Sequence, residues 1–320
     1  MITRRRIGVF LKLLVSLTLI WFLLDAVGAG DAFDRLLRVD PLWLAAAALL
    51  CLVQFLIGTL RWYAVLDAID EKLPIGQLFR ITYIGGFFNQ TLPSAAGGDA
   101  VRGYLGYKSG LTLGAAVNGL LLDRVATVLA LMVLAAAMTP FAAQELEGGA
   151  WFVRAVWVFL ALAIVGTVTI MLLDRLPKTL RRFRLIAGLC ALAVDARRVL
   201  LHSWRGVWVM ALSLVGHANL SMVVFAIAQG LEVPVSVADC LLLFPPVLLA
   251  QTVPISLAGW GVREGAMVAM FALVGVSGES ALVISILYGI VLALVSLPGA
   301  ALWLSTGART EDAEAFADSR

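Results

Sequence analysis

The sequence predicts an all-α, polytopic helical membrane protein with an inverted-topology repeat and two broken, re-entrant helix pairs, and three observations carry that prediction. The 320 residues are 62% hydrophobic and only 14% charged, with a mean hydropathy of +0.98, whereas a soluble domain has about a quarter of its residues charged. Long apolar runs recur between short polar loops. Two apolar segments are cut by proline, glycine and charge, at 87–104 ("FFNQTLPSAAGGDAVRGY") and again at 251–264.

Taken in order, Arg4, Arg5, Arg6 and Lys12 open the chain, and the apolar run 7–27 behind them is long enough to cross about 30 Å of hydrocarbon. Basic flanks stay inside, so the N-terminus is expected in the cytoplasm. The run exceeds a signal-peptide core, and no cleavage is expected. A second span covers 41–66 and returns to the cytoplasm at "DAIDEKLP". Segment 78–92 offers only fifteen residues before Pro93. At about 1.5 Å per residue it is too short to cross, and it reads as a half-helix that turns back.

From 111 to 138 the chain is apolar again, interrupted by Asn118, Asp123 and Arg124, and is expected to form a short helix followed by a full span. The loop "PFAAQELEGGAW" has two Glu and no Lys or Arg, as an external loop does. Segment 151–173 crosses back, and the loop behind it carries eight Arg and Lys, on the same side as the N-terminus. Within that loop Arg184, Gly188, Ala191, Asp195, Arg198, His202 and Arg205 share helical spacing, while Phe183, Cys190, Val194 and Leu201 face elsewhere. This predicts an amphipathic helix that lays the basic stretch 175–205 on an anionic inner leaflet. Segment 206–230 spans outward, 238–253 is a second short segment with Pro245, Pro246 and Pro254 around it, and 281–304 crosses last. One transmembrane domain is expected over 1–308, with repeat halves at about 41–140 and 205–305 and a disordered cytoplasmic tail at 309–320.

The repeat rests on a direct comparison. "QTLPSAAGGDAVR" (90–102) and "QTVPISLAGWGVR" (251–263) coincide at six of thirteen positions without gaps, Gln, Thr, Pro and Arg among them. Pro74 and Pro234 precede Pro93 and Pro254 by nineteen and twenty residues. Three full spans separate the copies, so the second enters from the side opposite to the first, as in an inverted-topology repeat. Irregular backbone at membrane depth survives only where protein or a water-filled cavity satisfies it, which makes the two breaks candidate sites.

The chemistry at the breaks suits an anion. Gly97, Gly98, Gly259 and Gly261 let the backbone turn with N–H groups available. Arg102 and Arg263 present planar donor forks to a phosphate or carboxylate, and Asp99 and Glu264 are placed to orient them or to bind a cation. Asn89, Gln90, Thr91, Gln251, Thr252 and Ser256 add polar groups, with Phe87, Phe88, Phe244, Leu248 and Leu249 nearby as a route for lipid tails. Asp123 and Arg124, adjacent in an apolar run, need a polar cavity or partners. Cys51, Cys190 and Cys240 show no C-x-x-C spacing, and His202 and His217 belong to no H-E-x-x-H motif. No metal, cofactor or nucleic-acid partner is expected.

"NQTLPSAAGGDAVR", "LLLDRVATVLAL" and "QTVPISLAGWGVREG" resemble the flippase-like family of the lysylphosphatidylglycerol synthase transmembrane region, over nearly the whole chain. The resemblance implies an inner-membrane protein that moves a polar lipid, anionic or polyprenyl-linked, between leaflets. With no cytosolic aminoacyl-transfer domain, it is not expected to make lysylphosphatidylglycerol itself. Two other classes compete. "GVSG" around Ser277 and "AGGD" ending at Asp99 imitate intramembrane protease strings, but neither explains the repeat. An accessory role beside a lipid-synthesis enzyme is the third reading.

Overall fold

The computed structural model describes residues 38–92, 97–142, 150–175, 177, 183–201, 204–252 and 259–306. The expected first span at 7–27, Pro93, His202, Pro254, Ser256 and the tail lie outside them. All regular elements among the described residues are helices.

Helix α1 (Pro41–Ala68) starts where the Asp40 carboxylate accepts from the Leu42 N–H and Pro41 occupies the first turn. It ends in a turn through Asp70 at φ 61°, with the Ile69 and Glu71 N–H groups both donating to the Leu66 carbonyl. Helix α2 (Ile75–Thr91) follows, then a break, then α3 (Gly97–Lys108). Gly110 at φ 109° closes α3, the Leu111 N–H reaching the Gly106 carbonyl at 3.2 Å. Thr112 caps α4 (Leu113–Ala142) by accepting from the Ala115 N–H at 3.1 Å.

Helix α5 (Ala150–Leu172) and a 3-10 turn (Leu173–Arg175) lead to α6 (Arg184–Leu201), and the order of devices then recurs. Helix α7 (Trp204–Gly230) ends through Glu232 at φ 56°, with the Leu231 and Val233 N–H groups donating to the Ala228 carbonyl. Helix α8 (Val237–Gln251), a break and α9 (Val262–Phe271) follow. A 3-10 turn (Ala272–Val274) and Gly275 at φ 75° close α9, the Val276 N–H reaching Phe271 at 3.2 Å. Ser277 caps α10 (Gly278–Ser296), accepting from the Ser280 N–H at 3.2 Å. The "GVSG" string is therefore a helix stop followed by a helix start. Helix α11 (Pro298–Leu304) completes the described chain.

This is an all-α, multi-pass membrane protein. Five helical stretches, Pro41–Ala68, Leu113–Phe141, Ala150–Arg175, Trp204–Gly230 and Gly278–Leu304, are long and apolar enough to cross. With 17 and 15 residues, α2 and α8 reach only ~25 and ~22 Å. The longest interface joins α1 to α7. They run antiparallel: the Asp40 N–H donates to the Gly230 carbonyl at 2.9 Å, and at the other end Arg205 pairs with Asp67 at 3.0 Å. One apolar core, with Trp62, Leu78 and Ile84, seats α2 and α3. A second, with Phe244, Met267 and Phe271, seats α8 and α9. Exchanging α1, α2, α3 and α4 for α7, α8, α9 and α10 carries the main helix contacts onto one another, α4 with α8 onto α10 with α2 included.

Two expectations are corrected. Residues 113–142 form one continuous helix rather than a short helix and a span. The polar residues do not break it because each has a partner: Asn118 donates to Asp195 at 2.7 Å, and Asp123 and Arg124 pair as described below. Helix α6 is amphipathic, with Gly188, Ala191 and Arg198 on its exposed face, but Asp195 does not lie on that face. Leu192, Ala193, Ala196 and Val199 are buried against the bundle, and Asp195 turns inward to Asn118. Its basic end stays exposed, Arg198 lying 3.9 Å from an exposed Asp70.

Candidate functional site

At the first break, α2 and α3 fold against each other backbone to backbone. A Cβ on Gly98 would lie 2.0 Å from the Gly85 carbonyl oxygen, and one on Gly86 2.2 Å from the Phe55 ring. The Gly98 N–H is taken by the Asn89 side-chain oxygen at 3.0 Å, which staples the end of α2 to the start of α3. Gly97 and Gly98 thus permit close approach inside a helix rather than a strained turn.

Arg102 leaves α3 one turn later, passes over Gly85 and stacks 4.5 Å from the centre of the Trp62 ring. Its Nη1 donates to Asp99 at 3.1 Å and approaches Asp123 at 3.5 Å. Asp123, buried on α4, also accepts from Arg61 of α1 at 2.6 and 3.2 Å. Arg124 donates to Asp99 at 2.6 and 2.5 Å. Three guanidiniums against two carboxylates leave this network one positive charge in excess.

The second break keeps the arginine and changes its setting. Gly259 and Gly261 have φ of 83° and 89°, the left-handed region that suits glycine. The Gly261 N–H is held by Glu264 Oε2 at 2.5 Å, a capping device that starts α9. The other Glu264 oxygen accepts from Arg263 and from the Ser285 hydroxyl. The Arg263 guanidinium lies between Trp260 and Tyr288, 4.6 and 5.5 Å from the ring centres, with Gly289 leaving room for it. Both charges are fully buried, at 0% exposure.

Between the breaks lies a cavity of about 320 Å³. Helices α2 and α8 bring Asn89, Gln90, Gln251 and Thr252 to it from the two halves, α1 and α4 bring Gln54, Arg61, Arg124 and Thr127, and α7 brings His217. Its apolar wall includes Phe55, Leu131, Leu248, Leu249 and Leu292. Arg102, Asp99, Asp123, Arg263, Glu264 and the four glycines stand behind this lining. Thr91 turns its hydroxyl back to the Phe87 carbonyl at 3.1 Å. Phe88 and Phe244 pack against Trp303 and Tyr288 as core, ring centres 5.0 and 5.2 Å apart. Arg61, Gln54 and His217 escaped the sequence reading, although a charge or imidazole near the middle of an apolar span is itself a signal.

The chain is similar in sequence to known proteins. The family described as "Lysylphosphatidylglycerol synthase TM region" matches residues 9–299. A "UPF0104 membrane protein" of Methanothermobacter thermautotrophicus is 32% identical over 96 residues, 30% of this chain and 26% of that protein. A second protein of the same description and organism is 31% identical over 100 residues, 31% of this chain and 30% of its own length. The chain therefore aligns with less than a third of either relative's length.

Proposed function

The chain belongs to the family of the lysylphosphatidylglycerol synthase transmembrane region, and from that premise we propose that it is a carrier moving a polar, phosphate-bearing lipid between the leaflets of the inner membrane. One observation carries the proposal. The carboxamides of two sequence-related broken helices and the Arg61 and Arg124 side chains converge on one cavity, the setting in which irregular backbone at membrane depth is tolerated. About 320 Å³ is the small end of ligand pockets. It suits a headgroup and leaves the tails in hydrocarbon.

In this reading the phosphate meets Arg61 and Arg124, while Arg102 and Arg263 hold the half-helices in place from behind. The tails leave sideways. Of the two seams exchanged by the repeat, the one between α4 and α7 is bridged where His217 Nε2 meets the Thr127 carbonyl at 2.9 Å. The seam between α1 and α10 is an apolar groove floored by Ala45 and Ala48, and it is the tail route. Rocking of one half against the other alternates access. The duplicated turns and caps support an inverted repeat, with α2–α3 and α8–α9 re-entering from opposite faces. Both chain termini face the cytoplasm, and the basic stretch 175–205 rests on the anionic inner leaflet, where it offers a place for a lipid-synthesis enzyme.

The test is reconstitution of the pure protein in vesicles with fluorescent phospholipids in both leaflets. Dithionite should bleach both leaflets when the protein is present and only the outer one without it. Protection of the inner leaflet at high protein density would sink the proposal.

A further inference from the structure

We propose that His217 is a proton-binding site coupled to anion binding in the cavity, so that a phosphate headgroup and a proton are carried together; this rests on the lipid-carrier reading above. His217 lies at the middle of α7, 5% exposed, on the cavity wall. Its Nε2 is 2.9 Å from the Thr127 carbonyl, which only accepts, so Nε2 carries the hydrogen. Nδ1 is buried with no hydrogen-bond partner. A buried acceptor without a donor is unfavourable. Protonation turns that acceptor into a donor.

The surrounding charges decide when. Helix α1 supplies Arg61, whose Nη1 lies 3.8 Å from where a Cβ on Gly216 would sit, and also Cys51. Helix α4 supplies Asp123 and Arg124, and α3 reaches the group through Asp99 on Arg124. Helix α10 offers Tyr288, whereas the α8 side chains on the cavity, Leu248, Leu249, Gln251 and Thr252, do not titrate. Helix α6 meets α7 near its start, around Gly206, and its Asp195 is taken by Asn118. The guanidiniums of this network outnumber its carboxylates by one. A phosphate docked on Arg61 and Arg124 reverses that sign.

Anion and proton then favour each other by one common factor, as linkage requires, and about tenfold is within the ordinary range for coupled sites. The step is a simple transfer: hydronium gives a proton to the Nδ1 lone pair, its O–H bond breaking as the N–H bond forms and leaving neutral water, and the proton returns to water as hydronium when the lipid leaves. No covalent bond to the lipid is made.

The chain has two histidines, so His202→Gln leaves a single imidazole for nitrogen-15 spectroscopy of the full chain in vesicles. At fixed pH, adding a short-chain anionic phospholipid to phosphatidylcholine vesicles should raise the charged-to-neutral ratio of His217 about tenfold. Arg124→Gln should abolish the rise, which an effect of membrane surface charge would not. In the leaflet-exchange assay the wild type should depend on pH and His217→Gln should not, since glutamine keeps the donor to Thr127 without the titration. An imidazole indifferent to the lipid, or responding equally in Arg124→Gln, overturns the inference. Rapid exchange that ignores pH also overturns it while leaving the carrier intact, and an absence of exchange with a lipid-responsive His217 overturns the carrier alone.

Discussion

Asp123 accepts from Arg61 and approaches Arg102 with a side chain only 1% exposed, so its charge is the counterweight that lets two arginines sit at membrane depth. Replacing it by Asn leaves buried guanidinium without compensation, a change of about 3–5 kcal/mol. Asp123→Asn should therefore unfold in detergent many degrees earlier than the wild type; an unchanged melting curve would show that water already neutralises the pair. Arg124 stands differently, paired to Asp99 but 46% exposed. Arg124→Gln should keep the fold and slow lipid exchange at least tenfold, the order of one lost charge-assisted phosphate contact. Arg102→Lys should show the reverse, because a lysine gives up the planar stacking on Trp62. Equal behaviour of the two variants in melting and exchange would erase the distinction between cavity lining and support. Arg102, Asp99, Asp123 and Arg124 were legible in the sequence because charge in an apolar run has few destinations. Arg61 was not, since its partner is 62 residues away and no local spacing joins them.

At the scale of elements the spans among the described residues and both short helices were readable from hydropathy and proline. That each short helix has a partner was expected too, but the bounds of α3 and α9 were not readable, because a helix of 12 or 10 residues opened by glycines carries little apolar pattern. Nor was the inward turn of Asp195 on α6, whose partner Asn118 is 77 residues away. The glycines show what the hairpin demands. Gly98→Ala puts a methyl 2.0 Å from a backbone oxygen, so two helices must separate, an overpacking effect of about 1–3 kcal/mol. Gly166→Ala on α5 meets nothing within 4 Å and should stabilise by about 0.5–1 kcal/mol through helix propensity alone. Thermal melts of both variants should move in opposite directions. The seam between α1 and α10 permits a functional counterpart. Ala48→Cys with Val291→Cys, both lining that groove, should halt lipid exchange when oxidised and restore it on reduction. Unchanged exchange in the oxidised protein would send the tails by another path.

For the molecule as a whole, the ion pairs between loops determine which ends share a face. Arg205 at the start of α7 lies on Asp67 at the end of α1, and Asn118 near the start of α4 lies on Asp195 of α6. The end of α1 and the start of α4 thus lie together, which supports the proposal that α2 and α3 between them go in and come back. The proposal sends α8 and α9 back in the same way to the side where α7 ends, while Arg80 of α2 ties its half to the α11 region through Ser305 at 2.6 Å. Single cysteines in a chain freed of Cys51, Cys190 and Cys240 make this measurable. In the proposed orientation, with the basic loop inside, Asp70→Cys and Lys108→Cys should react with a membrane-impermeant maleimide only after permeabilisation. Glu232→Cys and Ala272→Cys should react in intact cells. The informative position is Lys108: if it labels from outside while Asp70 labels from inside, α2 and α3 together cross the bilayer, and the two halves are not inverted copies of one another. If all four labels behave as expected, the end of α2 reaches the cavity from the inner side and the end of α8 from the outer. That is the arrangement a site needs to serve both leaflets in turn.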